Sequence, residues 1–244
     1  VKLFSFSIVK KLWSKYFKAK VFNNSPWATL KKPLSHCKIV LISTGGIVLK
    51  KDKPFDLKNS YGDSSFRRIP QNAKVEDLTI SHKYYDHKDA DLDPNLILPF
   101  QVLNILQKDG IIGSSNNFHY SFMGHIKDPL ISDLIKKSAF KVADELKSQK
   151  VDIALFVPAW GLCNQTVGLL QRIIEKEGIS TIGISLVREI SESIMPPRTY
   201  YLKYPFGHAL GEAFNVNQQK KILYECLKII ETSKNPGIIV DSPY

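Results

Sequence analysis

The sequence predicts an α/β fold: a doubly wound, mostly parallel sheet with flanking helices. The apolar run Lys38–Ser43 ends in Thr44-Gly45-Gly46, the pattern of a buried strand followed by a tight turn. Residues 151–157, 165–176 and 179–186 have the patterns of strand, helix and strand. Such a β–α–β unit needs a right-handed crossover between parallel strands. Strands that alternate with helices favour a doubly wound sheet.

The remaining elements are predicted from local patterns. Residues 50–98 are polar with scattered glycine and proline, which predicts loops. The last helix should begin after Asn215 as N-cap, with Gln218 three positions later in a capping-box pattern. Further elements are expected as a helix from Pro99 or Phe100 to Lys108, a helix from about Pro129 to Ser148 and a strand at Thr199–Lys203.

The charge is concentrated at the N-terminus. The chain has 244 residues and a formal charge of +11, but residues 1–51 hold 11 of the 34 Lys and Arg and no Asp or Glu. The remainder is therefore neutral. We predict a basic N-terminal arm (1–30), an α/β domain (31–231) and a C-terminal tail (232–244). The composition excludes disordered and collagen-like chains, and no apolar run reaches the ~20 residues of a membrane span.

The arm is expected to contain a basic amphipathic helix over residues 1–22. Such a helix could pack on the body, pack on a partner subunit or lie on an anionic membrane surface. The stretch has no Arg and the chain has no nucleic-acid motif, so no nucleic-acid partner is expected. Three scattered cysteines favour a reducing compartment. We therefore expect a cytoplasmic protein, with peripheral membrane contact through the arm left open.

Two turns are candidate sites because ligands of open α/β sheets bind beyond the carboxyl ends of the strands. The turn at Ser43–Gly46 carries no nucleotide-binding motif and could be an ordinary strand-ending turn. The turn at Pro158–Thr166 places Cys163 at a helix N-terminus, which favours the thiolate and predicts a nucleophile or redox group. The alternative for Cys163 is a small buried hydrophobe, and Cys37 and Cys226 carry no functional signal.

Histidines and carboxylates cluster in the middle of the chain, at Ser81–His87 and Asp89–Asp93. The second run lacks the Gly and Glu of a calcium loop, so calcium is rejected. A transition-metal site stays open, but no metal is predicted. His119 and His125 flank the turn at 122–124, and each histidine could act as a general acid or base or be an ordinary surface or core residue.

A series of short motifs runs along about residues 26–231. They are Pro26-Trp27-Ala28 to Ser35, Thr44-Gly45-Gly46, Ser81-His82 to Asp86, Asp91-Leu92-Asp93, Pro99, His119-Tyr120, Phe122-Met123-Gly124, Val157-Pro158 to Gly168, Pro196-Pro197-Arg198 and Phe206-Gly207 to Gly211. In this order the motifs resemble the selenoprotein B family of glycine, sarcosine, betaine and D-proline reductases, especially its short members.

The resemblance implies a chalcogen at position 160. The family pattern is Val-Pro-x-(Sec/Cys)-x-x-Cys-(His/Asn)-Gln, and this chain has Trp160 at the first chalcogen and Cys163 at the second. Selenocysteine is encoded by UGA, and a translation that reads UGA as tryptophan writes Trp there. The initial Val1 agrees with a literal reading-frame translation. We hypothesise that residue 160 is selenocysteine. A degenerate paralogue, or an organism that uses UGA for tryptophan, is the competing interpretation.

The implied activity is that of an oxidoreductase that cleaves a C–N bond with a thiol donor and forms a disulfide. Its substrate would be an amino-acid-like amine or another electrophile, activated on a partner subunit that bears a pyruvoyl group. A thiol reductant protein would supply the electrons, and no other cofactor is expected. The implied site residues are the redox pair Trp160 and Cys163, the proton carriers His82, Asp86 and His119, and the substrate-binding residues Arg198, Thr44, Gly45 and Gln165.

Two alternatives to this activity remain. One is a binding or partner subunit that has lost the nucleophile. The other is a general thiol-redox or peroxide-reducing protein that uses only the pair at positions 160 and 163.

Overall fold

The computed structural model describes Lys10 and residues 19–243. Within these residues, eight strands form one sheet in the order β10–β9–β8–β7–β1–β6–β3, with the short β5 also paired to β1. All strand pairings within this sheet are parallel except that of β3 with β6. The ten strands are β1 Lys38–Ser43, β2 Ile47–Leu49, β3 Phe66–Pro70, β4 Leu78–Ile80, β5 Ser114–Ser115, β6 Phe118–Phe122, β7 Ile153–Val157, β8 Ser180–Ser185, β9 Arg198–Tyr201 and β10 Ile238–Asp241.

Helices connect the strands of this sheet. They are α1 Lys88–Leu92, α2 Phe100–Lys108, α3 Leu130–Asp133, the π-helical segment Leu134–Ala139, α4 Phe140–Ser148, α5 Cys163–Lys176, α6 Arg188–Ile194 and α7 Val216–Thr232. Strands β7 and β8 are buried along their whole lengths, as parallel strands covered on both faces are. The α/β class predicted from the sequence is therefore confirmed.

Several predicted elements are present at nearly the expected bounds. Helix α2 spans Phe100–Lys108, and α7 follows an N-cap in which Asn215 Oδ1 accepts from the N–H of Gln218 at 3.1 Å. The prediction of loops for residues 50–98 is incomplete, because β3, β4 and α1 lie there. Strand β4 has three residues and β3 contains two arginines, so neither gives a clear apolar alternation.

The described part of the predicted arm, residues 19–30, is called the strap here. The expected helix over 1–22 lies mostly outside the described residues, and residues 19–30 have no regular secondary structure. The strap contacts the body through Phe22, whose N–H donates to Ser193 O, and through Ala28, whose N–H donates to Glu175 Oε1 at 2.7 Å. The predicted tail includes β10, which pairs with β9 as an edge strand.

No helix among the described residues is long and apolar enough to cross a bilayer.

Candidate active site

The carboxyl ends of β1, β6 and β7 meet at one edge of the sheet. Hydrogen bonds join the turns that follow them: Thr44 N–H donates to Val157 O at 3.0 Å, and Gly46 N–H donates to Phe122 O at 2.9 Å. This is the edge at which open α/β sheets bind their ligands. The chain folds this way because three buried strands each end in a glycine- or proline-containing turn.

Cys163 lies at this junction as the first residue of α5. Its thiol is fully buried and donates to Thr44 O at 3.1 Å. A side chain on the neighbouring Gly124, whose φ is +77°, would overlap both Thr44 O and Cys163 Sγ. The junction therefore requires glycine at position 124.

Burial raises the pKa of the Cys163 thiol, although backbone groups of Ala159 and Trp160 and the contact with Thr44 oppose the rise. The backbone groups at the helix N-terminus favour the thiolate, as the sequence predicts, but they lower the pKa by less than burial raises it. Loss of water around the sulfur outweighs the favourable backbone dipoles. Cys163 therefore carries its proton at neutral pH.

Trp160 is half-buried and belongs to an aromatic cluster with His82, Tyr84 and His125. The Trp160 ring stacks on Tyr84 at a centroid distance of 5.1 Å, and Tyr84 stacks on His125 at 3.8 Å. The His82 and His125 rings lie 6.3 Å and 5.5 Å from the Trp160 ring. The turn after β7 thus faces residues from the loop after β4 and from the turn after β6.

Both histidines of this cluster are uncharged. Burial lowers the pKa of His82 to about 3 and that of His125 to about 4. The imidazoles of His125 and His87 also disfavour the protonation of His82, and Lys127 and Lys83 disfavour the protonation of His125. At neutral pH the cluster can donate and accept hydrogen bonds without carrying charge.

Polar contacts fix the positions of the three turns. Tyr85 donates its hydroxyl to Gly45 O at 2.8 Å, and Thr166 Oγ1 donates to Gly124 O at 2.8 Å. Asn164 Nδ2 donates to Trp160 O and its Oδ1 accepts from Leu186 N–H, which ties the β7 turn to the end of β8. These side chains hold the backbone around position 160.

The structure brings most of the predicted redox and proton-transfer residues to this edge. Trp160, Cys163 and His82 lie together, and Thr44 and Gly45 form the β1 turn beside them. Gln165 lies in the first turn of α5, where its Oε1 accepts from Lys20 N–H at 2.9 Å and its side chain is 2% exposed.

Three predicted site residues lie elsewhere or show no contact with the cluster. His119 is inside the sheet, where its Nδ1 accepts from Leu41 N–H at 3.2 Å. Asp86 precedes α1 and accepts from Lys88 N–H. Arg198 begins β9 at the opposite edge and pairs with Glu175 at 2.7 Å, both side chains being fully buried. Its guanidinium is therefore occupied by the protein itself.

Tyr84, Tyr85 and Asn164 are not selected from the sequence, and His125 is named there as a candidate general acid or base without being included among the site residues. Tyr84 and Tyr85 stand in the Ser81–His87 run, where two histidines and one aspartate are the more usual catalytic residue types. His125 follows directly on the Met-Gly turn after β6. A rule that residues next to strand-ending glycines line the site would have selected it.

Comparison with known proteins shows that the chain is similar to subunits of reductase complexes. The family model for glycine/sarcosine/betaine reductase selenoprotein B matches residues 7–158, a range that ends before Trp160 and Cys163. The D-proline reductase subunit gamma of Acetoanaerobium sticklandii is 32% identical over 218 residues, which cover 89% of this chain and 88% of that protein. No solved structure matches the chain.

Longer relatives are also similar. Glycine reductase complex component B subunit gamma of Peptoclostridium litorale is 28% identical over 238 residues, 92% of this chain and 53% of the relative. Sarcosine reductase complex component B subunit beta of Peptoclostridium acidaminophilum is 25% identical over 220 residues, 87% and 49% of the two chains. The chain thus spans about half the length of these two relatives. It belongs to the glycine/sarcosine/betaine reductase selenoprotein B family.

Proposed function

We propose that this chain is the selenol- or thiol-dependent subunit of a reductase complex, with residue 160 as nucleophile and Cys163 as resolving thiol. The observation that carries the proposal is the turn after β7. It places residue 160 and Cys163 three positions apart at the N-terminus of α5, where the ends of β1, β6 and β7 meet. Redox pairs with this spacing at a helix N-terminus are common among thiol oxidoreductases.

Tryptophan cannot act as a nucleophile, so the proposal requires selenocysteine at position 160 in the living protein. Three findings support this. The family is named for a selenoprotein, a relative covered over 88% of its length is a D-proline reductase subunit, and the partner thiol Cys163 is present at the expected spacing. A selenol is ionised at neutral pH, so residue 160 would attack while Cys163 keeps its proton.

The reaction then divides into two balanced steps. The selenolate of residue 160 bonds to the substrate carbon, and the C–N electron pair leaves with the protonated amine as free amine. The Cys163 sulfur next bonds to selenium, while the C–Se electron pair and the thiol proton pass to carbon. The product is a C–H bond and a selenenylsulfide between positions 160 and 163.

An external dithiol would restore the selenolate and the Cys163 thiol, becoming a disulfide and releasing one proton. We propose a thiol reductant protein for this role and a second subunit that activates an amino-acid-like amine. Glutathione- or thioredoxin-type reductants and the buried free thiols Cys37, Cys163 and Cys226 fit a cytoplasmic location. Peripheral membrane contact through the arm stays a prediction, because the arm helix lies outside the described residues.

The test combines the codon and a thiol variant. A UGA codon at position 160 is expected, and Trp160→Cys in the assembled complex should oxidise a dithiol in step with amine reduction. Cys163→Ser in the same background should abolish turnover, whereas Cys226→Ser, a buried thiol on α7, should not. A UGG codon would refute the selenocysteine. Oxidation by peroxide without amine reduction would favour the general thiol-redox alternative.

A second function is favoured by the ring stacking at position 160. The indole fits between its neighbours, stacked on Tyr84 at 5.1 Å with an interplanar angle of 20°. If the codon is UGG, we propose a binding or partner subunit in which the indole replaces the nucleophile. Such a subunit should bind the amine or the partner subunit but oxidise no dithiol.

A further inference from the structure

Two imidazole nitrogens in the aromatic cluster have no partner with hydrogen-bond geometry among the described residues, although the Met123 backbone lies near the His82 ring and favours a proton on it. They are His82 Nε2 and His125 Nδ1. Both side chains are buried, with exposed fractions of 3% and 2%. Buried polar atoms in folded proteins nearly always have a partner, and an unsatisfied one is costly. Two such atoms beside residue 160 therefore indicate a ligand.

The other nitrogen of each ring fixes its tautomer. His82 Nδ1 accepts from Tyr84 N–H at 3.1 Å, so the His82 proton is on Nε2. His125 Nε2 faces Ser60 O at 3.3 Å and must donate to it, so Nδ1 of His125 carries a lone pair. The cluster thus presents one donor, at His82, and one acceptor, at His125.

The tautomers also decide which ligand chemistry fits. A metal needs a lone pair on each ligating nitrogen, and His82 Nε2 has none while its Nδ1 accepts from the backbone. The pair instead fits a molecule that offers an acceptor oxygen and an N–H group. An amino-acid-like amine offers a carboxylate oxygen and an ammonium N–H.

We infer that His82 and His125 form a matched pair that binds the amine substrate, with His82 Nε2–H donating to its carboxylate and His125 Nδ1 accepting from its N–H. This inference rests on the proposed function and adds a specificity rule to it. The ring centroids lie 6.3 Å and 5.5 Å from that of Trp160, so the pair borders the position of the nucleophile. Substrates that keep at least one N–H are accepted, and quaternary amines are rejected.

An N-methylation series tests the rule without a mutation. Binding of glycine, sarcosine, N,N-dimethylglycine and betaine to the full chain is measured by calorimetry near neutral pH, where the first three keep an ammonium N–H. We expect the affinity to fall at least about tenfold at the last methyl group, which removes the final N–H, and much less at the earlier steps. Equal binding of betaine and N,N-dimethylglycine, or no binding of any compound, would overturn the inference.

Variants of His125 give the matched control. His125→Asn keeps an acceptor near the place of Nδ1 and should retain the drop at betaine. His125→Phe keeps the ring on Tyr84 but removes the acceptor, and should bind all four compounds with similar, weakened affinity. His36→Asn, at an exposed position before β1, should behave as wild type. A wild-type affinity series in a folded His125→Phe would overturn the inference.

The outcomes separate this inference from the proposed function. A clear drop at betaine in a chain whose position 160 is tryptophan would support the substrate pair and refute the redox chemistry. Dithiol-dependent amine reduction with equal binding of all four amines would support the redox chemistry and refute the pair.

Discussion

Buried polar groups have different hydrogen-bond partners at the two ends of the strands, which are called here the amino edge and the carboxyl edge of the sheet. At the amino edge, Arg198 donates to Glu175, to Thr181 O and to Ala28 O, and its guanidinium lies 3.6 Å from the Trp27 ring centroid. Only its Nε lacks an acceptor among the described residues. At the carboxyl edge, His82 and His125 each present a nitrogen without such a partner.

The difference distinguishes a structural cluster from a candidate site. A buried charge is tolerated when the protein itself supplies the counter-charge and the acceptors, and Arg198 together with Glu175 meets that condition. The imidazoles avoid the cost of burial by staying neutral, as their lowered pKa values indicate, and so keep hydrogen-bonding capacity for a ligand. The buried arginine therefore belongs to the fold, and the buried histidines belong to the candidate site.

The largest expected effect is at the amino edge. Arg198→Met leaves Glu175 buried without its counter-charge and should lower the free energy of unfolding by about 3–5 kcal/mol in urea titrations. Arg188→Met, which breaks the exposed pairs with Glu192 and Asp241, should cost less than about 1 kcal/mol. An Arg198→Met protein of unchanged stability that no longer binds amines would restore the substrate-binding role predicted from the sequence.

Overpacking of the carboxyl edge should have the next largest effect. In Gly124→Ala the new methyl group overlaps Thr44 O and Cys163 Sγ at a residue with φ of +77°. We expect a loss of about 2–4 kcal/mol and faster alkylation of a displaced Cys163. Gly110→Ala, where φ is +71° and the added atom has no neighbour within 4 Å, isolates the backbone strain and should cost about 1 kcal/mol. Equal losses for the two variants would contradict close packing at Cys163.

Acid should weaken the fold through the neutral histidines. Burial lowers the pKa of His82 to about 3, against about 6.5 in an unfolded chain, so between these pH values the unfolded state binds the extra proton. Stability contributed by neutral His82 is thus lost as pH falls below 6.5, by about 2 kcal/mol at pH 5. His82→Gln should remove that part of the pH 7 to pH 5 loss, and exposed His36→Gln should not. An unchanged loss in His82→Gln would show that His82 titrates normally.

Much of the fold is predictable from local apolar patterns in the sequence. Strands β1 and β7 contain continuous apolar runs, and α7 has an N-cap that the structure confirms. The missed strand β3 is a sheet-edge strand with the sequence Phe-Arg-Arg-Ile-Pro. Its polar residues face solvent or neighbouring side chains, so its pairing with β6 depends on contacts that no local pattern records.

The site was only partly predictable from the sequence, because it too depends on contacts between residues far apart in the chain. Position 160, Cys163 and His82 were identified from motifs, and the fold brings them together. Arg198 was assigned to the substrate because arginine suits carboxylates, but the carboxylate it meets is Glu175, 23 positions before it in the chain. The raised pKa of Cys163 depends on how many neighbours exclude water, which a helix position alone does not reveal.

The central claim is that residue 160 and Cys163 form a redox pair. The most direct measurement is mass spectrometry of the tryptic peptide Val151–Arg172, which contains both positions, from protein isolated from its natural source. The account predicts the isotope pattern of selenium and a gain of two hydrogens upon reduction by a dithiol. A peptide whose mass corresponds to tryptophan at position 160, and whose mass does not change when the dithiol is added, would contradict the redox pair.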